Sequence, residues 1–271
     1  MDFYLYLCKS NKKKRFYMKR ICIMAMVLCF VCTACEKDYS GLITASYPVD
    51  GYYTDLEVSH AFEVVVCDTV SKAMVSVRGG EHKNVIFKVE DGTLKIGFKS
   101  TLFNWIHGPA KVLLPRNNAL CDVELSGASS FHGDLQGDKI ELDVSGASDF
   151  YGNLQGRVVN IDLSGSSDFK GNIDADKIEM EISGSSKVSG LGSCNELLDM
   201  EISGSSDVDA YGLECRRVAA KVSGSSKVKI SSCESIMGSL SGSSDLYYKA
   251  LPGCNPVVNC STSGGSKVHQ Q

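Results

Sequence analysis

The chain has 271 residues, 43% of them hydrophobic, with 26 glycines, five prolines and 12 cysteines, which suits one or two ordered domains. Residues 1–34 hold seven of the 28 Lys and Arg and one of the 32 acids, so the remainder carries a net charge near −10. That acidic balance argues against nucleic acid as a partner.

The first 34 residues have the layout of an export signal. Met18-Lys-Arg opens a basic segment, Ile21 to Cys32 is apolar but short for a membrane span, and Thr33-Ala34 places small residues before Cys35. This resembles a bacterial lipoprotein signal, which implies lipidation of Cys35 and a membrane reached through that lipid. Met18 is read as the true start. Glu36-Lys37-Asp38 resembles the acidic surface-export tags of some Bacteroidetes lipoproteins. Residues 35–50 read as a tether.

Residues 51–118 read as a β-rich region. Leu56-Glu-Val58, Phe62-Glu-Val-Val-Val66, Met74-Val-Ser-Val77 and Lys111-Val-Leu-Leu-Pro115 alternate or run apolar as strands do. Val85 to Val89 and Leu94 to Phe98 flank Asp91-Gly92, a pair suited to the positive φ of a tight hairpin. Between the last strands lie Phe103, Trp105 and Ile106, read as a cap over the neighbouring core or as a binding loop.

From residue 119 to 271 one motif recurs. Ser-Gly-x-Ser starts at Ser126, Ser145, Ser164, Ser183, Ser203, Ser223, Ser241 and Ser263, spaced by 18 to 22 residues. A near-fixed period is the mark of a repeat architecture. Positions five, three and one before the first Ser are apolar in copy after copy, as in Ile140/Leu142/Val144 and Ile178/Met180/Ile182. That is period-2 placement with one face buried. A second short strand follows, with Phe131, Phe150, Phe169 or a Val inward. One repeat cannot bury its own apolar side, but stacked parallel repeats can. The reading is an all-β, parallel β-helix or β-solenoid of 19–20-residue rungs with an N-terminal β-rich cap, in which 51–271 can form one continuous domain. Eight rungs would span roughly 35–40 Å.

Stacking sorts the remaining residues into columns, an inward line of serines and outward lines of charge. Ser129, Ser148, Ser167, Ser186, Ser206, Ser226, Ser244 and Ser266 form a hydroxyl ladder, read as structural because no His is paired with the motif. From Asp168 through Lys187, Asp207, Lys227, Asp245 and Lys267 the next column alternates in sign. Asp122, Glu124, Glu141, Asp143, Asp162, Glu179, Glu181, Asp199 and Glu201 line one face, with Lys139, Arg157 and Lys177 near enough to neutralise part of it. This face is the candidate surface for a ligand, a divalent cation or a basic partner. An enzyme acting on polysaccharide through Asp143, Asp162 and Glu181 is the catalytic alternative. Cys194, Cys215, Cys233 and Cys254 sit at matching places on successive rungs. They could pair as Cys194–Cys215 with Cys233–Cys254, as Cys215–Cys233, or remain thiols. The C-x-x-C spacing of zinc sites is absent, no catalytic residues or metal set are assigned, and no cofactor is implied.

Phe62-Glu-Val-Val-Val66, Asp91-Gly-Thr-Leu-Lys-Ile96, Val112-Leu-Leu-Pro115 and the Ser-Gly-Ala/Ser-Ser-Asp repeats after that proline together resemble the putative auto-transporter adhesin, head GIN domain family of Bacteroidetes envelope proteins, over about residues 52–268. The resemblance implies a right-handed β-helix-like fold and an exported location, and supplies no catalytic residues. The expectation is a lipid-anchored outer-membrane protein, on the periplasmic or the surface face. Its role would be non-catalytic adhesion, scaffolding or binding of an envelope or host glycan or protein.

Overall fold

Glycine sets the rung. In the computed structural model, which describes residues 41–99 and 108–271, all eight Ser-Gly corners turn on a glycine with φ between 70° and 78°. A Cβ at Gly146 would also lie 2.5 Å from the carbonyl oxygen of Gly127 in the preceding rung. Left-handed backbone and close stacking both demand glycine there. The Ser three places on completes the corner. Ser129 Oγ donates to the Ser126 carbonyl at 2.8 Å, and Ser167 and Ser186 repeat the bond at 2.8 and 2.9 Å. Ser148 and Ser186 Oγ also accept from the backbone N–H of Ser129 and Ser167 on the neighbouring rung. These hydroxyls are buried and engaged in closing the corners.

The strands in chain order are β1 (Leu42–Tyr47), β2 (Asp55–Val58), β3 (Phe62–Cys67), β4 (Ala73–Arg78), β5 (Val85–Glu90), β6 (Thr93–Phe98), β7 (Ala110–Pro115), β8 (Asp122–Leu125), β9 (Ser130–His132) and β10 (Leu135–Val144). The rest are β11 (Asp149–Tyr151), β12 (Leu154–Leu163), β13 (Asp168–Ile182), β14 (Lys187–Ile202), β15 (Asp207–Val222), β16 (Lys227–Leu240), β17 (Asp245–Ala250), β18 (Val257–Thr262) and β19 (Lys267–Gln270). From β8 onward every pairing is parallel, and each strand lies beside its equivalent one repeat on. This is a β-solenoid, and its described residues form one compact unit.

In β13, β14 and β15 the second strand of one repeat runs into the first strand of the next without a break. Two separate short strands per repeat are therefore found in the earlier rungs and again at the end, where β17 and β18 are distinct. In the middle rungs one sharp glycine corner and a bend suffice.

The N-terminal strands continue the same columns. β2 pairs in parallel with β6 on one side and β8 on the other, and β3 does so with β7 and β9. Antiparallel strands complete this end: β5 on β6, and β4 on β7 followed by β1 on β4. Asp91 and Gly92 turn the β5–β6 hairpin with φ of 50° and 84°. The tether reading of 35–50 needs correction, because Leu42–Tyr47 is β1, paired residue for residue with Tyr47 opposite Ala73 and Leu42 opposite Arg78. The partner lies some thirty residues downstream, so local pattern did not reveal it. The signal segment, Cys35 and the Phe103, Trp105 and Ile106 loop lie outside the described residues.

The core is one set of stacked columns. Phe131, Phe150 and Phe169 stack face to face, with centroids 5.3 and 5.6 Å apart. Val123, Leu142, Ile161 and Met180 form a second buried column, and Leu135, Leu154 and Ile173 a third. Each side chain covers its neighbour above and below, so burial is shared between rungs rather than completed within one.

Candidate functional site: an acidic face along the rungs

Alternation in the first strand of each repeat sends the apolar residues inward and the acids out. Register then aligns the acids. One column runs Asp55, Asp122, Glu141, Asn160, Glu179, Asp199, and the other runs Glu57, Glu124, Asp143, Asp162, Glu181, Glu201. All nine acids named from the sequence stand in these two columns. Asp55 and Glu57 were missed. Their signal was present, since Asp55-Leu-Glu-Val58 has the same alternation as Asp122-Val-Glu-Leu125.

Lysines bracket the second column. Lys95 lies 3.5 Å from Glu57 at one end, and Lys221 pairs with Glu201 at the other. In the first column Lys139 pairs with Glu141 and Lys177 with Glu179, each from two residues earlier on the same strand. Arg157 does not serve the face. Its Nε and Nη2 fork onto Asp138 at 2.9 and 3.2 Å, one rung away on another side. Asp55, Asp122, Asp199, Glu124, Asp143, Asp162 and Glu181 therefore have no ion-pair partner among the described residues.

The titration of Asp122, Glu124, Asp143 and Asp162 reflects this. Burial, then the charges of Asp55, Glu141, Glu124 and Asp143, push the Asp122 carboxyl up to about 6. Glu124 is raised by burial and by Glu57 and Asp143, Asp143 by burial, and Asp162 by burial and Asp143. Like charges one rung apart repel, and partial burial strengthens the effect. A shallow groove of about 450 Å³ runs over Asp122, Glu124, Asp143, Asn160, Asp162 and Glu181. The Asn160 Oδ1 at its centre is buried and has no hydrogen-bond donor. Among the described residues no three His, Cys, Asp or Glu converge as a metal cage. The face is a line of spaced acceptors, suited to a partner with a row of donors.

The other columns are placed as follows. Asp168, Lys187, Asp207, Lys227, Asp245 and Lys267 are successive register partners. No close ion pair joins these partners among the described residues: Lys227 Nζ lies 5.3 Å from the Tyr247 ring centre, and Asp245 bonds His269 at 3.1 Å. The close ion pair on this side is one column over, Lys229 to Asp209 at 2.6 Å.

Among the cysteines, Cys233–Cys254 is a disulfide. Cys194 and Cys215 are register partners but remain buried thiols, and the neighbouring thiol and burial raise Cys215. Cys215–Cys233 does not form. An irregularity between β15 and β16 sets Cys215 opposite Ser232, which puts Cys233 out of line with it.

Parallel rungs with one shared core, closed by glycine corners, and charged columns along one face define a parallel β-solenoid. The chain belongs to the family described as putative auto-transporter adhesin, head GIN domain, whose model matches residues 52–252. A putative adhesin from Parabacteroides merdae ATCC 43184 shares 18% identity over 87% of this chain and 98% of its own, with a TM-score of 0.70. A putative adhesin from Parabacteroides distasonis ATCC 8503 shares 21% over 87% and 98%, at 0.68. A putative lipid binding protein from the same strain shares 18% over 86% and 97%, at 0.58. At these identities the likeness is one of fold. No curated protein matches the chain.

Proposed function

We propose that this protein is an exported, lipid-anchored β-solenoid that binds a partner at the cell envelope without transforming it. The observation that carries the binding role is a double row of carboxylates with no cation of their own, Glu124, Asp143, Asp162 and Glu181 in one column and Asp55, Asp122 and Asp199 in the other, held in register on a rigid sheet. Such a row costs stability, and a partner rich in donors would recover it. The basic, apolar and small-residue segments before Cys35 support anchoring to the outer membrane through lipid on that cysteine. The adhesin description of the family supports binding over turnover.

Two experiments test this reading. Cys35→Ser should release the protein from washed membranes into the soluble fraction, and full retention of the variant would refute the anchor. The purified chain should be retained on an array of envelope glycans and host-matrix proteins. Retention of no component would refute the binding role. Turnover of a polysaccharide, lost on Asp143→Asn, would replace it with an enzymatic one.

A further inference from the structure

The link between β7 and β8 crosses the rungs at the start of the repeats, on a different side from the acidic face. Beneath it lies a partly enclosed pocket of about 260 Å³. Its floor is apolar, with Leu114, Leu120 and Leu135 buried, and the ring of Tyr53 forms a wall. Its rim is Arg116, Asn118, Gln136 and Gln155, all exposed.

The polar side chains here divide into two kinds. Some build the walls. Asn117 Nδ2 donates to the Tyr53 carbonyl at 2.8 Å while its Oδ1 accepts from Ala119 N–H at 3.0 Å, and Asn153 Nδ2 donates to Asp134 at 2.9 Å. Others are left over. Asn118, Gln136 and Gln155 have no side-chain hydrogen bond among the described residues, yet each amide offers two donors and an acceptor. Gln136 and Gln155 are register partners, so their backbones lie one rung, about 4.8 Å, apart on the same face. Arg116 is locked in orientation by Asp68, with Nε at 2.5 Å and Nη2 at 3.1 Å from the two carboxylate oxygens. That fork uses two of its five N–H groups and leaves three.

The charge is balanced. Asp68 offsets Arg116, and Asp134 stands close enough to act on the same guanidinium. Within this pocket a carboxylate or sulfate ligand would find no spare cation; Lys72, exposed and without an ion pair among the described residues, lines only the depression beside it. A second depression, about 450 Å³, shares Tyr53, Pro115, Arg116 and Asn117 with the first and leads to Tyr52, which is 74% exposed. The first pocket is smaller than the ~300–1,000 Å³ of drug-sized sites, which suits a single ring.

We propose that this pocket binds one uncharged pyranose unit of a glycan, with the adjoining depression holding the next unit over Tyr52. The C–H face of the ring would lie on the leucines and Tyr53, and its hydroxyls would meet the free amides and Arg116. The inference goes beyond the acidic-face reading: it assigns the chain a second site, on another side, with its own ligand class.

The test titrates the purified chain with neutral β-linked di- to tetrasaccharides of glucose, mannose, galactose and N-acetylglucosamine, with oligogalacturonate as the charged arm, read by calorimetry and saturation-transfer NMR. At least one neutral series should bind with a Kd between about 10 μM and 1 mM. Gln136→Ala with Gln155→Ala should weaken binding about tenfold or more, at an unchanged melting temperature, because both amides are exposed. Lys267→Ala, exposed at the far end of the repeats, should leave it within about twofold. No binding of any neutral sugar at about 5 mM, preference for oligogalacturonate, or unchanged affinity in the double variant would each overturn the proposal. Retention on the envelope and matrix array that is lost with acidic-face substitutions, and not with these, would overturn the pocket alone and leave the binding role standing.

Discussion

Asp122→Asn should stabilise the protein at neutral pH. The carboxyl is half-buried between Asp55 and Glu141 in its column, and its folded pKa is about 6 against an ordinary 3.8. Between those two values the folded chain holds a proton that the unfolded chain has released. Stability from this group is therefore fully present below about pH 4 and is lost as pH rises through about 6. Taken at face value, a gap of about two units at 1.36 kcal/mol each approaches 3 kcal/mol. Water reaches much of the carboxyl and screens it, so the realised cost of the charge is on the order of 1 kcal/mol. Asn mimics the neutral form. Urea denaturation of both chains at about pH 7.5, 6 and 4 should show the variant more stable by about 1 kcal/mol at the highest pH, with the difference closing by the lowest. In melting temperature that is roughly 2–4 °C. Added salt should narrow the gap only in part, because burial is the largest cause and salt does not screen it. A variant less stable than the parent at about pH 7.5, or a difference that does not change with pH, would refute the electrostatic account of this face.

Two further outcomes follow from the corners and the disulfide. Gly146→Ala places a Cβ 2.5 Å from the Gly127 carbonyl oxygen at a φ of 76°, so it should cost more than about 2 kcal/mol, and a loss below about 0.5 kcal/mol in thermal or urea melts would mean that the corners are not closely stacked. Cys233→Ser with Cys254→Ser opens a link across 21 residues and should cost about 3 kcal/mol; reductant should lower the parent's melting temperature toward the variant's and leave the variant unmoved, and reductant-insensitive parent chains would count against the bridge.

The solenoid was legible because its rules are local. A corner that needs positive φ and cannot hold a Cβ admits only glycine, so Ser-Gly recurs wherever a rung turns. Alternation sorted Val123, Leu142 and Ile161 inward and Asp122, Glu141 and Asp143 outward without knowledge of register. What was hidden depends on contacts distant in sequence. Asp55 and Glu57 join the acidic columns through parallel pairing of β2 with β8, 67 residues on and outside the repeat period. β1 was concealed for the same reason. The choice among cysteine pairings turned on an irregularity of pairing near Ser232, which equal spacing cannot report. The sugar pocket needs the β7–β8 link folded over Gln136 and Gln155, and neither segment carries a motif by itself. Among the described residues no helix is long and apolar enough to cross a membrane.

The lysine-bracketed column has a metric consequence. Seven rung steps separate Lys95 from Lys221, about 34 Å at the inter-strand spacing, with six acids between them. A partner that reads this face meets a graduated scale with marked ends. Its own positive groups fit when they recur at multiples of that step, and drift out of phase when they do not. Excising one whole repeat would shorten the scale by a single graduation and leave every remaining corner able to close on its neighbour. Reach along this face can therefore change by whole rungs while its pitch stays fixed by the backbone.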